Sequence, residues 1–256
     1  MSYLTLHHFG LPSDTFSQAM KTGDVENVQV AINGAIANKG FASIIGPRGV
    51  GKSSAVIAAL PLNAKVVLPL TLDRERLRIG AIEDAIVYDL SNESPKRTAE
   101  ARTRQIRPIL GEAGKTGPVV LVIEESHRMH SSTLRALKSL TELKWMGRGP
   151  LLSIILIGQK DPLALPSLEE VALRAKKGRV VMSGLSEAEA LAYINLTVGA
   201  VWNPDAAAAL AASKEARNYL DLQEALIAAM DQALAEGRKR VDLSDVFHAT
   251  GAGLKE

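Results

Sequence analysis

The 256-residue chain contains no cysteine, which removes disulfide frameworks, thiolate zinc sites and thiol catalysis together and fits a reducing compartment. Aromatic side chains are scarce, four Phe, four Tyr and two Trp, so a surface that holds nucleic acid by stacking on bases has few rings to use. Long apolar runs are missing as well. No stretch reaches the ~18 to 20 uninterrupted apolar residues of a membrane helix, and the amino terminus lacks a basic start followed by a long apolar run. A soluble, cytoplasmic protein with no membrane partner is expected. Net charge is small too, 30 Lys and Arg against 28 Asp and Glu for +2. What is present is ordinary globular material: 46% hydrophobic and 23% charged residues exclude a disordered tail, a collagen or a low-complexity linker. The length allows one large domain or two smaller ones.

The small net charge conceals a division. Residues 186 to 256 carry six Lys and Arg against eleven Asp and Glu, −5, which leaves the first 185 residues, 24 against 17, at +7. The hydrophobic pattern changes at the same place. Short apolar runs at 41 to 45, 64 to 70, 118 to 123, 151 to 157 and 179 to 182 alternate with helix-like segments at 25 to 38, 53 to 60, 79 to 90, 96 to 113, 131 to 143 and 166 to 177. That alternation predicts right-handed βαβ units and a parallel sheet covered on both faces. From Ser186 the chain reads as helices only. Ser186-Glu187-Ala188-Glu189 has the form of a capping box and Asn203-Pro204 starts another helix, with Ala- and Leu-rich segments at 204 to 213, 220 to 236 and 242 to 249. The expected organisation is an α/β core over 1–185, including an entry segment 1–24, and a small all-helical lid domain over 186–256.

Gly46-Pro47-Arg48-Gly49-Val50-Gly51-Lys52-Ser53 satisfies G-x-x-x-x-G-K-[ST] between a strand and a helix, the context that motif needs. Its glycines let backbone amides turn toward phosphates, and the helix amino terminus, with Ser54 in its first turn, adds a favourable dipole. Lys52 reaches the β and γ phosphates and Ser53 ligates magnesium, so ATP and Mg2+ are the expected cofactors. A P-loop needs acids on a neighbouring strand. Val119-Val120-Leu121-Val122-Ile123-Glu124-Glu125 supplies them, Glu124 for the metal and Glu125 to activate water. Glu is one methylene longer than the Asp usual at position 124, so the metal geometry must adjust. Gln159 ends the run at 151 to 157 and is placed to hydrogen-bond the γ phosphate or the attacking water, with a plain turn-forming Gln as the alternative. Arg174, near a helix end, is the candidate to reach a neighbouring subunit's γ phosphate. Arg179 competes with it, and a surface arginine is the plain alternative. The five histidines receive a structural reading, since His127 and His130 lack a metal-ligand pattern.

The order of P-loop, acidic strand, polar strand tip, end-of-helix arginine and helical lid resembles the AAA+ ATPases. Within them the chain is most similar to the group of the phage Mu transposition B protein, the TnsC regulators and the ExeA-type ATPases. Phe9-Gly10-Leu11-Pro12-Ser13-Asp14-Thr15-Phe16, Ile123-Glu124-Glu125-Ser126-His127-Arg128-Met129, Leu156-Ile157-Gly158-Gln159, Leu185-Ser186-Glu187-Ala188-Glu189 and Arg217-Asn218-Tyr219-Leu220 through Arg240-Val241-Asp242 carry this narrower resemblance in their order. It implies a P-loop core with a helical lid, a nucleotide-sensing Arg217 in that lid, and assembly into rings or helical filaments around duplex DNA. It also implies a bacterial host cell and a transposase partner.

DNA contact would come from the core. Basic clusters stand at Arg74/Arg76/Arg78, at Lys96/Arg97/Arg102/Arg104/Arg107 opposed in sequence by Glu100 alone, and at Arg174/Lys176/Lys177/Arg179. The family faces the segment after its second strand toward DNA, so Arg74, Arg76, Arg78, Lys96 and Arg97 are the expected contacts, gripping phosphates without strong sequence preference. The leading expectation is an ATP-dependent regulator of DNA transposition whose filament on target DNA recruits a transposase and is dissolved by hydrolysis. A helicase-loader-like protein, an ExeA-like secretion ATPase and a small-molecule P-loop kinase are the rivals.

Overall fold

Five apolar runs pair into one parallel sheet, and the reason is visible in their burial. The computed structural model describes residues 3–18, 20–69, 77–164 and 168–251. In chain order the first elements are α1 (Tyr3–His8), α2 (Gly23–Asn38), β1 (Phe41–Ile45), α3 (Lys52–Ala59), β2 (Lys65–Val67), α4 (Ile79–Leu90), α5 (Ala99–Ala113), β3 (Val119–Ile123), α6 (Ser131–Thr141), β4 (Ser153–Gly158), α7 (Glu169–Ala175) and β5 (Arg179–Val181). Four further helices follow the last strand: α8 (Glu187–Thr197), α9 (Pro204–Ala212), α10 (Tyr219–Ala235) and α11 (Leu243–Thr250). The strand order is β2-β3-β4-β1-β5. β1, β3 and β4 are buried at every position, which is why their sequences run apolar without alternation. β2 and β5, three residues each and partly exposed, form the edges, where Lys65 and Arg179 discourage pairing with another chain.

The chain divides into two compact units. The α/β unit comprises Asp24–Pro47 and Lys52–Met182. Its core joins Leu121, Ile123, Ile154 and Leu156 of the sheet to Ile82 and Ile86 of α4, Ile106 and Leu110 of α5 and Leu137 of α6, all sealed from solvent. The strand expected at 64 to 70 is shorter, Lys65–Val67, and its last residue, Leu70, lies outside the described residues.

The helical unit comprises Met1–Gly23, Arg48–Gly51 and Ser183–Glu256. The entry segment, grouped with the core in the sequence reading, is therefore part of this unit instead, and the reason is its apolar anchors. Leu6, Phe9 and Phe16 are buried with Tyr193, Trp202, Leu226 and Met230. The Thr15 hydroxyl donates to the Thr197 carbonyl at 2.9 Å and the Tyr193 hydroxyl to the Phe16 carbonyl at 3.0 Å. The capping box at Ser186 forms as expected: the Glu189 amide donates to Ser186 Oγ and the Ser186 amide to the Glu189 carboxylate.

Arg238 closes the far end of this unit. Its guanidinium donates to both oxygens of the fully buried Asp245 carboxylate, at 2.6 and 2.8 Å, and to Asp242 and Glu236. Burial pushes the Asp245 carboxyl upward, but the hydrogen bonds from Arg238 and from the Asp242 amide outweigh it and hold the group below its ordinary value. A carboxylate with a depressed folded pKa contributes stability above its unfolded pKa of about 4 and loses it as pH falls through the lower folded value. Arg238→Ala, which strands that charge, is expected to cost about 3 kcal/mol at pH 7. Urea unfolding followed by circular dichroism should show the gap between wild type and variant narrowing below about pH 4.

Candidate active site at the carboxyl edge of the sheet

Because every strand runs the same way, the carboxyl ends of β1, β3 and β4 lie side by side, with Ile45 opposite Gly158 and Ile123 opposite Leu156. Open parallel sheets present their ligand crevice at this edge. In the α/β unit the P-loop leaves β1 through Gly46, whose amide donates to the Gly158 carbonyl at 3.2 Å, and re-enters as α3 at Lys52. The Lys52 ammonium reaches back over the loop and donates to the carbonyls of Gly46 at 2.9 Å and Pro47 at 2.6 Å. Burial lowers its pKa, while the charges of Glu125 and Glu124 oppose that shift. Both carboxylates therefore stand within electrostatic reach of the P-loop lysine. Ser53 is partly exposed and Ser54 exposed in the first turn of α3.

Glu124 and Glu125 follow directly on β3 and are half-buried. Glu125 adopts the left-handed conformation, φ 51°, a backbone state that non-glycine residues take up only when their surroundings enforce it. The enforcement is visible next to it: the buried Ser126 hydroxyl donates to the Ile157 carbonyl at 2.9 Å, pinning the end of β3 to β4. Gln159, one residue past β4, lies with Nε2 3.5 Å from the Glu125 carboxylate, and its backbone amide donates to His127 Nδ1 at 3.2 Å. His127 Nε2 stands 3.8 Å from the same Glu125 oxygen. Lys52, Glu124, Glu125 and Gln159 are thus gathered at one edge, together with a histidine that the sequence reading left structural. Its relevance rests on β3 and β4 being neighbours, which spacing along the chain does not reveal.

Magnesium takes oxygen ligands and completes its octahedron with water and phosphate oxygens, using only one or two carboxylates. A serine hydroxyl at 53 and the carboxylate of Glu124 fit that donor set. Among the described residues no group of three or more His, Asp or Glu could hold a metal alone.

Residues 48–51 belong to the helical unit. The Asn218 side chain donates to the Arg48 carbonyl at 2.8 Å and the Tyr219 amide to the Gly49 carbonyl at 3.1 Å, while Asn218 Oδ1 caps α10 by accepting from the Leu220 amide. Val50 is buried. Arg217 donates through Nη1 to the Leu185 carbonyl at 3.3 Å. Asn218 and Tyr219 enter the sequence analysis only as part of the lid motif; their bonds to Arg48 and Gly49 depend on distant segments meeting.

The remaining expected residues are placed as follows. Arg174 lies in α7, and its side chain is outside the described part. Its competitor Arg179 is paired, Nε to the Asp161 carboxylate at 3.0 Å. Arg74 and Arg76 lie outside the described residues. Arg78, Lys96 and Arg97 are exposed, and Arg102 draws their segments together: its Nη1 donates to the Lys96 carbonyl at 3.0 Å and its Nη2 lies 2.8 Å from where a Cβ on Gly80 would stand. Arg102 itself is neutralised by Glu83 at 3.1 Å and Asp84 at 3.3 Å. The cluster opposed in sequence by Glu100 alone is therefore opposed in space by two acids of α4 as well.

Residues 36–164 match the family model described as an AAA domain. A search of curated protein sequences returns no match. Among solved structures the chain is similar to Cdc6p from Pyrobaculum aerophilum, with TM-score 0.67 and 14% identity over 94% of this chain and 71% of that one. It is also similar to Drosophila ORC bound to DNA, TM-score 0.64 and 14% identity over 99% and 66%. The Thermotoga maritima RuvB Holliday junction branch migration motor follows at TM-score 0.57 and 13% identity over 95% and 70%. At such identities these likenesses speak to the fold.

The P-loop carries a testable mark of its own. Gly49 is not one of the two glycines its motif specifies, yet it sits at φ 85° and a Cβ there would lie 2.1 Å from Asn218 Oδ1. Gly49→Ala should weaken ATP binding about tenfold or more in equilibrium titration, since left-handed strain and a lost cap act together.

Proposed function

The chain belongs to the AAA domain family, and on that premise we propose that it hydrolyses ATP and uses the bound nucleotide to assemble on duplex DNA as a regulator of transposition. The observation that carries the ATPase reading is the gathering of Lys52, Glu124, Glu125 and Gln159 at the adjacent ends of β1, β3 and β4. Lys52 and the P-loop amides hold the phosphates of ATP, Glu125 accepts a proton from the attacking water, and Gln159 orients that water or the γ phosphate. Bound through Ser53 and Glu124, magnesium would neutralise charge building on the phosphates. Arg217 senses the nucleotide from the lid, and Arg174 of one copy reaches the nucleotide of the next. A nucleotide bridging two copies favours the assembled state only while its γ phosphate lasts.

The DNA reading rests on the exposed cations Arg78, Lys96 and Arg97, whose segments Arg102 brings into one neighbourhood. Phosphate contacts of this kind confer affinity without sequence preference. The transposase as recruited partner, and the grouping with the Mu B and TnsC proteins, rest on the ordered motifs of the sequence. Among the described residues no helix is long and apolar enough to cross a membrane, which gives no support to a membrane-embedded secretion role.

Electron microscopy and sedimentation with random duplex DNA and a nonhydrolysable ATP analogue test the assembly: rings or filaments that need both ligands are expected, and a monomer indifferent to DNA rejects the reading. Lys52→Ala should abolish nucleotide-dependent assembly. Glu125→Gln should keep ATP binding, lower turnover by about a hundredfold or more and trap the assembly. Replacing Arg78, Lys96 and Arg97 by serine together should flatten the dependence of log affinity on log salt by about three, close to one per lost phosphate contact.

A further inference from the structure

Resting on the ATPase reading above, we propose that His127 is a positioning residue for hydrolysis, a single imidazole that fixes Gln159 with one nitrogen and steers Glu125 with the other. The chemistry of the ring decides which nitrogen does which. A backbone N–H can only donate, so His127 Nδ1, which receives the Gln159 amide at 3.2 Å, must present its lone pair. The neutral imidazole then carries its proton on Nε2, and Nε2 is the atom that faces the Glu125 carboxylate at 3.8 Å. Gln159 Nε2 approaches that same carboxylate oxygen at 3.5 Å. The histidine therefore sits behind the two groups that would meet the attacking water, bonded to the Gln159 backbone through Nδ1 and facing the Glu125 carboxylate with Nε2.

The backbone is shaped around this ring. The left-handed turn at Glu125 brings residue 127 back onto the end of β4. The Ser126 bond to the Ile157 carbonyl holds the turn there. Gly158 leaves room for the ring: a Cβ at 158 would lie 3.2 Å from His127 Nδ1 and 2.9 Å from the Lys160 carbonyl oxygen. A histidine serving only as filler would not need both ring nitrogens aimed at polar groups of the site, nor a side chain left 16% exposed beside Glu125. A metal-ligand role does not suit it either, because an Nδ1 that accepts from the Gln159 amide leaves the proton on Nε2, which then has no lone pair for a metal.

Two variants separate the two contacts. Asn at 127 can offer an oxygen near the Nδ1 position but no donor toward Glu125; Gln can offer a donor near the Nε2 position but no acceptor for the Gln159 amide. His127→Asn and His127→Gln are each expected to lower kcat about tenfold, with ATP affinity within about twofold of wild type, as for a group that acts on the chemical step. Nitrogen-15 NMR of the full chain should find neutral His127 as the Nε2–H tautomer. Turnover within twofold of wild type in both variants overturns the proposal, as does an Nδ1–H tautomer. So does a fall of kcat, ATP affinity and thermal midpoint in step, which marks a purely structural residue. A wild-type chain that binds ATP without hydrolysing it would sink the ATPase reading and this proposal with it, an outcome distinct from active wild type with indifferent variants.

Discussion

Burial of the three central strands on both faces is the constraint from which the rest follows. Strands covered above and below by helices admit no charged side chain along their length, so the polar groups that do chemistry stand where the strands end. β1, β3 and β4 satisfy this with apolar residues at nearly every position and their polar cargo immediately beyond: the P-loop after Ile45, two glutamates after Ile123, a glutamine after Gly158. Parallel pairing in the order β3-β4-β1 then converts three distant stretches of sequence into neighbours. Ser126 and Gly46 bind the strand ends to one another, so the spacing of the site is set by the sheet and not by the loops.

Electrostatics is the second organising force. A lysine drawn into the protein loses hydration, and Lys52 recovers part of it through two loop carbonyls and the field of two carboxylates. On the proposed ATPase reading, the same ammonium, carbonyl-bound here, is the group whose charge a nucleotide's phosphates would match. The αL backbone of Glu125 belongs to the same economy of placement. A local cost of about 1 kcal/mol or more is carried by the turn, and the Glu125 carboxylate stands 3.5 Å from Gln159 Nε2.

Much of this was legible in the sequence. The P-loop and the double glutamate announce themselves by residue type and spacing, and short apolar runs between helices reveal a parallel sheet without any contact being known. What stayed hidden depends on which distant segments meet. His127 reads as one histidine among five until β3 and β4 are placed side by side. Arg102 reads as one cation of a DNA-facing run until α4 brings Glu83 and Asp84 against it. The entry segment reads as part of the core because it precedes the first strand, whereas Phe9 and Phe16 bury themselves among helices nearly 200 residues later. Asn218 reads as one residue of a lid motif, whereas in the fold it caps α10 and its amide nitrogen secures the Arg48 carbonyl.

The scattered origin of the helical unit bears on how the chain is made. Its first segment, ending at Gly23, leaves the ribosome some 160 residues before Ser183, where the bulk of that unit begins. At about 5 to 20 residues per second, Leu6, Phe9 and Phe16 wait roughly 9 to 45 seconds for Tyr193 to Met230, among which they are buried. During that interval the growing α/β unit can complete its own sheet from contiguous strands. Leu6, Phe9 and Phe16 can therefore be buried as they are in the fold only once the helices beyond Ser183 exist.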